Sequence, residues 1–371
     1  MRVVIGGIRG IPGRYGGFET SAEEIALRLV NAGDQVTVYC RKNKNTLSEM
    51  DEYKGVKLVY LPAISGTSFE TISHSIFIGM HSILKSKNID VVHLYNAASS
   101  FALPLLKLAN IPVIITLDGI EWNRQKWGWI AKKVWKIATW MAIKFADTIV
   151  CDSDVVRKYF ESEYKRKITY IPYGAKFIHS TSSIFKSFGL NDKDYLLFVG
   201  RFVPEKGVDT LIDAYNAIDT KVPLVLIGDN ENDRAYVDYL KNKAGKNVVF
   251  LGYRYGEEYE SILSHAKVYV SASMLEGTSP SLLAAMGAKV CCLINGIAEN
   301  RETGGDCVLY FDGSKADLVK NMQILLNNEN LVAEYSKKGF SRVKNKYDWD
   351  IVTNEYTLKY RQLLKENTNG I

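Results

Sequence analysis

The stretch from Leu196 to Tyr215 most constrains what this chain can fold into. Its first four residues form an apolar run typical of a buried strand, which stops at Gly200, and a helix with apolar residues at helical spacing follows. Arg201 and Lys206 lie in the turn between strand and helix. In an open α/β sheet such a turn follows the carboxyl end of a strand, where ligands bind, and faces a helix N-terminus, which favours anions. The stretch therefore indicates an α/β fold with a phosphate or diphosphate site, and two solvated surface charges are the alternative explanation.

A second stretch, Val268 to Gly287, has the same strand–loop–helix pattern. Its helix is predicted to begin at Pro280, because the N–H that proline lacks would have no intrahelical partner at that position. Hydroxyl side chains surround this helix start, and they belong to Thr278, Ser279 and Ser281. Glu276 in the preceding loop can accept hydrogen bonds from a sugar hydroxyl, or it can simply complement the helix dipole. Together the two stretches predict a nucleotide-sugar site.

The length and composition are those of a globular protein. The 371 residues allow two domains with separate cores, and 47% hydrophobic with 24% charged residues is an ordinary balance. The five cysteines have no CxxC spacing and are odd in number, which indicates thiols in a reducing, cytoplasmic compartment. Met1 leads directly into a strand, and no long apolar run occurs, so we expect neither a signal peptide nor a membrane-spanning helix.

The net charge of +6 is concentrated in one region. Residues 121–180 contain twelve Lys and Arg against six Asp and Glu. A nucleic-acid binder usually has a broader basic surface or a known motif, so we expect no nucleic-acid partner.

Strands and helices alternate on both sides of a Ser/Thr-rich junction at 180–187. This pattern predicts two doubly wound Rossmann-like domains facing a cleft. A long glycine-rich loop, ending in Gly16 and Gly17, follows the first strand and would let the backbone approach a ligand closely. Thr20 and Ser21 are the predicted caps of the helix after it. The G-x-G-x-x-G fingerprint is absent and no acidic residue follows the second strand, so NAD binding is disfavoured and no cofactor is expected.

Three further positions are predicted to follow strands. Asp118 comes after an apolar run and should point into the cleft, although Asp-Gly is also a common turn pair. Tyr253 marks another strand end, near the donor turns. Asp152-Ser153-Asp154 resembles the D-x-D of metal-dependent sugar transferases, but its place at a helix start favours capping by Ser153, and we assign no metal.

A long basic helix is predicted over 127–146. At 100° per residue one side gathers lysine and tryptophan, a composition typical of helices that lie on anionic membranes; its residues are Lys126, Trp129, Lys132, Lys133, Lys136, Trp140 and Lys144. The opposite side is predicted to pack into the domain, and it holds Ile130, Val134, Ile137, Ala138 and Met141. An ordinary amphipathic helix with a solvated lysine face is the alternative.

Motifs spread over nearly the whole chain resemble the GT-B glycosyltransferases of family 4. They are Gly16-Gly17, IPYG at 171–174, GRFVPEKG at 200–207, EGTSPSLL at 276–283 and the stretch from Tyr347 to Leu364. The opening GIRGIPGRYGGFET resembles a bacterial subgroup that contains rhamnosyltransferases of capsule and cell-wall polysaccharide assembly.

The resemblance implies a retaining, metal-independent transfer from a nucleotide-diphosphate sugar held by the C-terminal domain. By the same resemblance, Arg201 and Lys206 match the diphosphate-binding pair, Glu276 matches the acid that touches the sugar, and Gly17 matches a glycine packed under the diphosphate. The implied domains are 1–175, an acceptor domain, and 176–348, a donor domain. The implied final helix, 349–371, crosses back to the first domain.

Two positions depart from the family pattern. Ala284 stands where the family usually has a second glutamate gripping the ribose, and Asp118 stands where it often has histidine contacting the sugar C6 hydroxyl. A 6-deoxy sugar lacks that hydroxyl, so we predict dTDP-rhamnose as donor, with UDP- and GDP-hexoses as alternatives. The expected acceptor is a saccharide, lipid-linked if the enzyme is peripheral on the inner face of the cell membrane. A non-catalytic nucleotide-sugar-binding protein and a nicotinamide-dependent oxidoreductase or epimerase are the alternative functions.

Overall fold

A computed structural model describes residues 1–13, 16–42, 50–64, 69–123 and 128–369 of this chain. The chain divides into two compact units. The first unit consists of Met1–Tyr173 together with Trp349–Ile371, and the second is Gly174–Asp348. In the described ranges no helix combines the length and apolar composition needed to cross a bilayer.

As far as it is described, the first unit is built on one sheet of eight strands in the order β3-β4-β2-β1-β5-β6-β7-β8. All neighbouring strands pair in parallel except β3 and β4. Strands β1, β5 and β6 are buried along almost their whole length, as expected where helices cover both faces of a parallel sheet. The strands are β1 (Arg2–Gly6), β2 (Gln35–Lys42), β3 (Glu52–Tyr53), β4 (Val56–Pro62), β5 (Val91–Tyr95), β6 (Val113–Leu117), β7 (Thr148–Cys151) and β8 (Thr169–Tyr170).

In the described part of this unit, five α-helices connect these strands. They are α1 (Gly17–Asn31), α2 (Phe69–Leu84), α3 (Leu103–Leu108), α4 (Trp129–Phe145) and α5 (Asp154–Tyr164). A 3₁₀ segment, Ala97–Ala102, leads directly into α3.

Helix α1 begins earlier than the sequence indicated. Gly16, with φ of 103°, precedes its first residue, so the prediction that Thr20 and Ser21 cap this helix is wrong. Thr20 donates its hydroxyl to the Gly16 carbonyl at 3.2 Å, and the Ser21 hydroxyl lies 3.1 Å from that of Tyr95. Both hydroxyls are therefore used inside the first turns of the helix. Residues 14 and 15 of the preceding loop lie outside the described residues.

The faces of α4 differ from those predicted. Its buried residues are Ala138, Thr139, Ala142 and Ile143, whereas Ile130 and Ile137 are 61% and 52% exposed. The small buried side chains let the helix pack closely on the 97–102 segment, which leaves the two isoleucines on the outer side. The prediction that Ile130 and Ile137 pack into the domain is therefore wrong. Lys126, predicted for the outer side, lies outside the described residues.

The second unit has a six-stranded parallel sheet in the order β11-β10-β9-β12-β13-β14. Its strands are β9 (Leu196–Val199), β10 (Leu224–Ile227), β11 (Val248–Gly252), β12 (Val268–Ser271), β13 (Cys291–Asn295) and β14 (Leu309–Phe311). Its helices are α6 (Val208–Asn216), α7 (Arg234–Lys243), α8 (Gly256–Ser264), α9 (Pro280–Gly287), α10 (Ala298–Gly304), α11 (Lys315–Leu326) and α12 (Glu329–Lys346).

The last helix, α13 (Trp349–Asn369), belongs to the first unit. Its Tyr360 hydroxyl lies 2.7 Å from Nδ1 of His93, and the Tyr356 hydroxyl lies 3.1 Å from that of Thr116. Nε2 of His93 lies 2.8 Å from the same Thr116 hydroxyl, and the ring of His93 is fully buried. Burial lowers the pKa of His93 to about 3, so the ring is neutral. This buried network fastens the end of the chain to β5 and β6.

Candidate functional site

The centre of the second sheet is a topological switch point. Strands β9 and β12 are neighbours, and the chain proceeds from β9 to β10 on one side and from β12 to β13 on the other. A crevice forms at the carboxyl ends of two such strands, because the loops that leave them diverge. The two loops that the sequence singled out are those that follow β9 and β12.

The first loop, 200–207, ends in a short 3₁₀ turn and a glycine. Gly207 has φ of 62° and precedes α6. A Cβ at this position would lie 2.3 Å from the carbonyl oxygen of Ala272, which belongs to the second loop. Only glycine tolerates both the left-handed backbone and this close approach. Gly207 therefore allows the two loops to touch.

Hydrogen bonds join the two loops further along. The carbonyl of Glu205 accepts from the Met274 N–H at 2.8 Å and from the Ser273 hydroxyl at 3.3 Å. The carbonyl of Ser273 accepts from the side-chain amide of Asn295, at the end of β13, at 3.1 Å. The loops form one connected polar surface at the switch point.

Two predicted site residues form an ion pair across this junction. Nζ of Lys206 lies 2.5 Å from Oε1 of Glu276, and the two side chains are 21% and 8% exposed. A carboxylate with so little exposure needs a partner, because desolvation of an unpaired charge is costly. Lys206 and Glu276 are thus brought into direct contact, which their separation of 70 residues in sequence does not reveal.

Arg201 has a different environment. Its side chain is exposed, and in the described ranges it makes no ion pair. Its carbonyl accepts from the Val203 N–H at 3.0 Å, which holds the start of the turn. The guanidinium therefore belongs to an exposed side chain at the switch point, and it can offer up to five donors to a ligand.

Glycines also pack the backbones of neighbouring strand ends together. Gly200 donates its N–H to the Ile227 carbonyl at 3.0 Å, and a Cβ on Gly228 would lie 1.8 Å from the Gly200 carbonyl. Tyr253 follows β11, two strands away from β9, and donates its hydroxyl to the Asp229 carbonyl at 2.9 Å. Tyr253 is therefore placed on the flank of the site, beyond β10.

Helix α9 begins at Pro280, as predicted. The hydroxyl of Ser279 caps it by accepting from the Leu282 N–H at 3.4 Å. Ser281 accepts from the buried hydroxyl of Tyr269 at 3.0 Å, and its Oγ lies 3.3 Å from that of Ser279. Burial raises the pKa of Tyr269, so this phenol remains protonated and donates. These hydrogen bonds thus hold the first turn of α9 in place, and the positive end of the helix dipole lies at the crevice.

The side of α9 that would carry the second glutamate of the resembled family has a small apolar residue. Ala284 is half-buried and has no group that could bind a ribose hydroxyl. Thr278, in the approach loop, is buried. Sequence reasoning missed Tyr269, which donates to the start of α9, and Ser273 and Asn295, which hydrogen-bond within and behind the two loops. Ser273 and Asn295 stand at or just after a strand end, which is their only sequence signal, whereas Tyr269 lies within β12 and has none.

Gly16, Gly17 and Asp118 belong to the first unit. The Gly17 carbonyl accepts from the Tyr173 hydroxyl at 2.7 Å, which fixes the start of α1. Asp118 follows β6 and accepts from the N–H of Gly119 at 2.5 Å, an interaction within the turn. It lies at the carboxyl edge of this unit's sheet.

The next strand, β7, ends in the D-x-D sequence. Ser153 accepts from the Val156 N–H at 3.4 Å, which confirms that it caps α5. Asp154 forms ion pairs with Arg157 and Lys158 on the same helix, at 2.6 and 2.8 Å. In the ranges described, no group of three or more His, Cys, Asp or Glu side chains is placed to hold a metal ion.

Comparison with known families finds two matches along the chain. Residues 1–176 match the domain of unknown function DUF1972, and residues 180–342 match glycosyl transferases group 1. The chain is also 27% identical over 350 residues to the uncharacterized glycosyltransferase MJ1178 of Methanocaldococcus jannaschii, covering 90% of this chain and 91% of that protein. The capsular polysaccharide biosynthesis glycosyltransferase CapM of Staphylococcus aureus is 27% identical over 186 residues, 48% of each chain.

Solved structures show the same fold. Sucrose-phosphate synthase from Thermosynechococcus elongatus superposes with a TM-score of 0.85 at 18% identity, covering 98% of this chain and 99% of that one. Anabaena Alr3699/HepE, solved in complex with UDP and glucose, gives a TM-score of 0.80 at 16% identity, covering 98% and 100%. The architecture is therefore the two-domain α/β fold with parallel sheets of the GT-B glycosyltransferases, as predicted.

Proposed function

We propose a donor, an acceptor and a mechanism for this glycosyltransferase, whose residues 180–342 form a glycosyl transferases group 1 domain. The reaction is a retaining, metal-independent transfer of a sugar from a nucleotide-diphosphate donor to a saccharide acceptor. One observation carries the proposal: the Arg201–Lys206 turn contacts the loop that leads into α9, at the switch point of the second sheet.

The diphosphate is proposed to lie between these two loops. When the bond from the anomeric carbon to the diphosphate breaks, negative charge builds on the leaving phosphate oxygens. Arg201, Lys206 and the N–H groups at the start of α9 are donors that stabilise this charge. Each charged donor of this kind typically contributes about a 100- to 1000-fold rate factor.

Glu276 is proposed to bind a hydroxyl of the transferred sugar. Its carboxylate is held by Lys206 at 2.5 Å, so a sugar that reaches Glu276 carries its phosphates next to the same lysine. The diphosphate site is proposed to be shaped by Gly200, Thr278, Ser279, Pro280 and Ser281. Tyr253 is proposed to flank it. Gly16 and Gly17 belong to the first unit, and their role in donor binding stays a prediction.

The proposed donor is dTDP-rhamnose, with UDP- and GDP-hexoses as alternatives. Asp118 supports a 6-deoxy sugar because a short carboxylate replaces a residue that would contact a C6 hydroxyl. The solved complexes of HepE with UDP-glucose and with UDP and glucose support a nucleotide-diphosphate sugar in general. Likeness to CapM supports a role in capsule or cell-surface polysaccharide synthesis.

The proposed location is the cytoplasmic face of the cell membrane, with a lipid-linked acceptor. All five cysteines are free thiols, which suits a reducing compartment. Ala284 favours one second candidate, a nucleotide-sugar-binding protein that does not catalyse transfer, because it removes a ribose-binding carboxylate from α9.

A donor panel tests these proposals. Thermal shifts and initial rates would be measured with dTDP-rhamnose, UDP-glucose, UDP-galactose and GDP-mannose, with and without a saccharide-primed lipid acceptor. Transfer with one preferred donor is the expected result. Donor-induced stabilisation without hydrolysis or transfer would contradict catalysis and support the binding protein.

A further inference from the structure

Three helices of the first unit form one outer layer, which we call the three-helix face: α2 (Phe69–Leu84), α3 (Leu103–Leu108) and α4 (Trp129–Phe145). Helices α2 and α4 both pack on the chain segment formed by residues 97–102 and α3. The three helices connect β4 to β5, β5 to β6 and β6 to β7, and all three connections run in the same direction across the sheet. Because such crossovers are right-handed, they place the three helices on the same face of the sheet. Their outer surfaces are therefore adjacent.

This face exposes unusually many large apolar side chains. Of the 21 such side chains that are exposed in the described ranges, ten belong to these three helices. On α2, Phe69 is 70% exposed, Met80 51% and Leu84 80%. On α3, Leu108 is 79% exposed, and on α4, Trp129 is 69% and Trp140 45% exposed. Scattered apolar residues are normal on a surface, but a contiguous set marks an interaction site.

The charges on the face are almost all positive. The three helices contain five lysines and one acidic residue, Glu70, which lies 3.7 Å from Arg41. Exposed Lys133 and Lys144 hold their ammonium groups 5.0 and 4.8 Å from the ring centres of Trp129 and Trp140. A second copy of this chain would bring lysine against lysine, whereas an anionic surface complements the face.

Tryptophan beside lysine has a specific advantage at a bilayer surface. The indole ring occupies the boundary between headgroups and acyl chains, while the flexible lysine stem lets the ammonium reach the phosphates. On α4 the exposed residues Trp129, Ile130, Lys133, Ile137 and Trp140 recur along one side of the helix. The same side of α4 therefore provides both the apolar side chains that would insert into the bilayer and the lysines that would be attracted to its anionic headgroups.

The face also reaches the functional edge of the sheet. Helices α2 and α4 follow β4 and β6, so Phe69 and Trp129, at their first turns, lie towards the carboxyl edge where Asp118 is found. We propose that the three-helix face seats the first unit on an anionic lipid bilayer. Where the proposed transferase function holds, this presents the carboxyl edge to an acceptor whose lipid anchor lies in the same bilayer.

Vesicle sedimentation of the full chain tests the proposal. The probes are vesicles of phosphatidylcholine alone and vesicles that also contain phosphatidylglycerol. One variant carries Lys133→Glu, Lys136→Glu and Lys144→Glu, all at exposed positions. A charge-matched control carries Lys320→Glu, Lys337→Glu and Lys344→Glu, at exposed positions of α11 and α12 in the second unit.

We expect binding to the anionic vesicles alone, weakened by salt. The α4 variant should partition at least about 100-fold less, since each lysine near an anionic surface contributes about 1 kcal/mol. A Trp129→Ala/Trp140→Ala variant should also lose binding, whereas Ile324→Ala/Leu358→Ala, which removes exposed apolar groups elsewhere, should not.

Three results would overturn the proposal: no vesicle binding, equal loss in the charge-matched control, or a solution dimer that the tryptophan variant dissociates. Donor hydrolysis measured without vesicles should be unchanged in all of these variants. Because that rate reports the donor site alone, failure of the transferase proposal is distinguishable from failure of the membrane proposal.

Discussion

Replacing Arg201 or Lys206 with alanine should separate the chemistry of the donor site from the stability of the fold. Both changes remove a cation from the turn after β9, and both should lower turnover by at least about 100-fold, because each removes a donor from the departing diphosphate. Their effects on stability should differ, since the two side chains have different environments.

The structure sets the size of that difference. Arg201 is exposed, so its loss should change the free energy of unfolding by less than about 0.5 kcal/mol. Lys206 lies 2.5 Å from a carboxylate that is only 8% exposed, so Lys206→Ala leaves Glu276 without its cation. An unsatisfied buried group costs about 1–3 kcal/mol. The double variant Lys206→Ala/Glu276→Gln removes the unpaired charge and should recover most of that stability without recovering activity.

Initial rates with the preferred donor and urea unfolding of each variant give both quantities. Lys221→Ala is the matched control, because Lys221 is exposed just before β10, at the opposite edge of the same sheet. Near-normal turnover in Arg201→Ala and Lys206→Ala would refute the donor-site assignment. Wild-type stability in Lys206→Ala would refute the inferred dependence of Glu276 on its lysine.

Three other predictions concern the loops, the donor and pH. Gly207→Ala should destabilise the protein by more than about 2 kcal/mol in urea unfolding, because backbone strain adds to the clash with Ala272. The control Gly33→Ala, at a position with φ of 88° and open space around it, should cost only about 1–2 kcal/mol. Equal costs for the two variants would contradict the close contact of the two loops. Initial rates should be highest with dTDP-rhamnose, and the variant Asp118→His should gain the ability to transfer a hexose. A higher initial rate with a hexose donor in the unchanged protein would contradict the deoxy-sugar proposal. Burial lowers the pKa of His74 to about 4. Below about pH 6.5 the unfolded chain therefore binds a proton that the folded chain does not. The free energy of unfolding should decrease as the pH is lowered, by up to about 1.4 kcal/mol per pH unit. Urea unfolding between pH 7 and about pH 5 should show a smaller decline in His74→Gln, and an unchanged slope would contradict a neutral buried ring.

Local chemistry in the sequence predicted much of the secondary structure around the second unit's candidate site. Pro280 and Ser279 identify the start of α9 because proline and a capping hydroxyl have intrinsic positional preferences. The strand before Arg201 is recognisable because a buried parallel strand is apolar throughout. These features depend on residues within a few positions of one another, so a single sequence contains them.

Helix α4 shows where such reasoning fails. Periodicity gives the angular position of every side chain, but it does not say which side faces the sheet. The sequence-based prediction buried the isoleucines because they are apolar, whereas the helix packs through Ala138, Thr139 and Ala142. Close packing of small side chains decided the orientation, and that depends on the segment at 97–102, which is distant in sequence.

By itself, the sequence determined the α/β class, the two turns rich in cations and hydroxyls, and the start of α9, because propensity, capping and hydrophobic periodicity act locally. Only the tertiary structure decided that Glu276 pairs with Lys206, that Gly207 lies against Ala272, and that the neighbouring helices α2, α3 and α4 all expose apolar side chains. Each of these depends on strand order and helix packing, which bring together residues far apart in the chain. The physical reason is that burial and desolvation act on neighbours in space, whatever their separation in sequence.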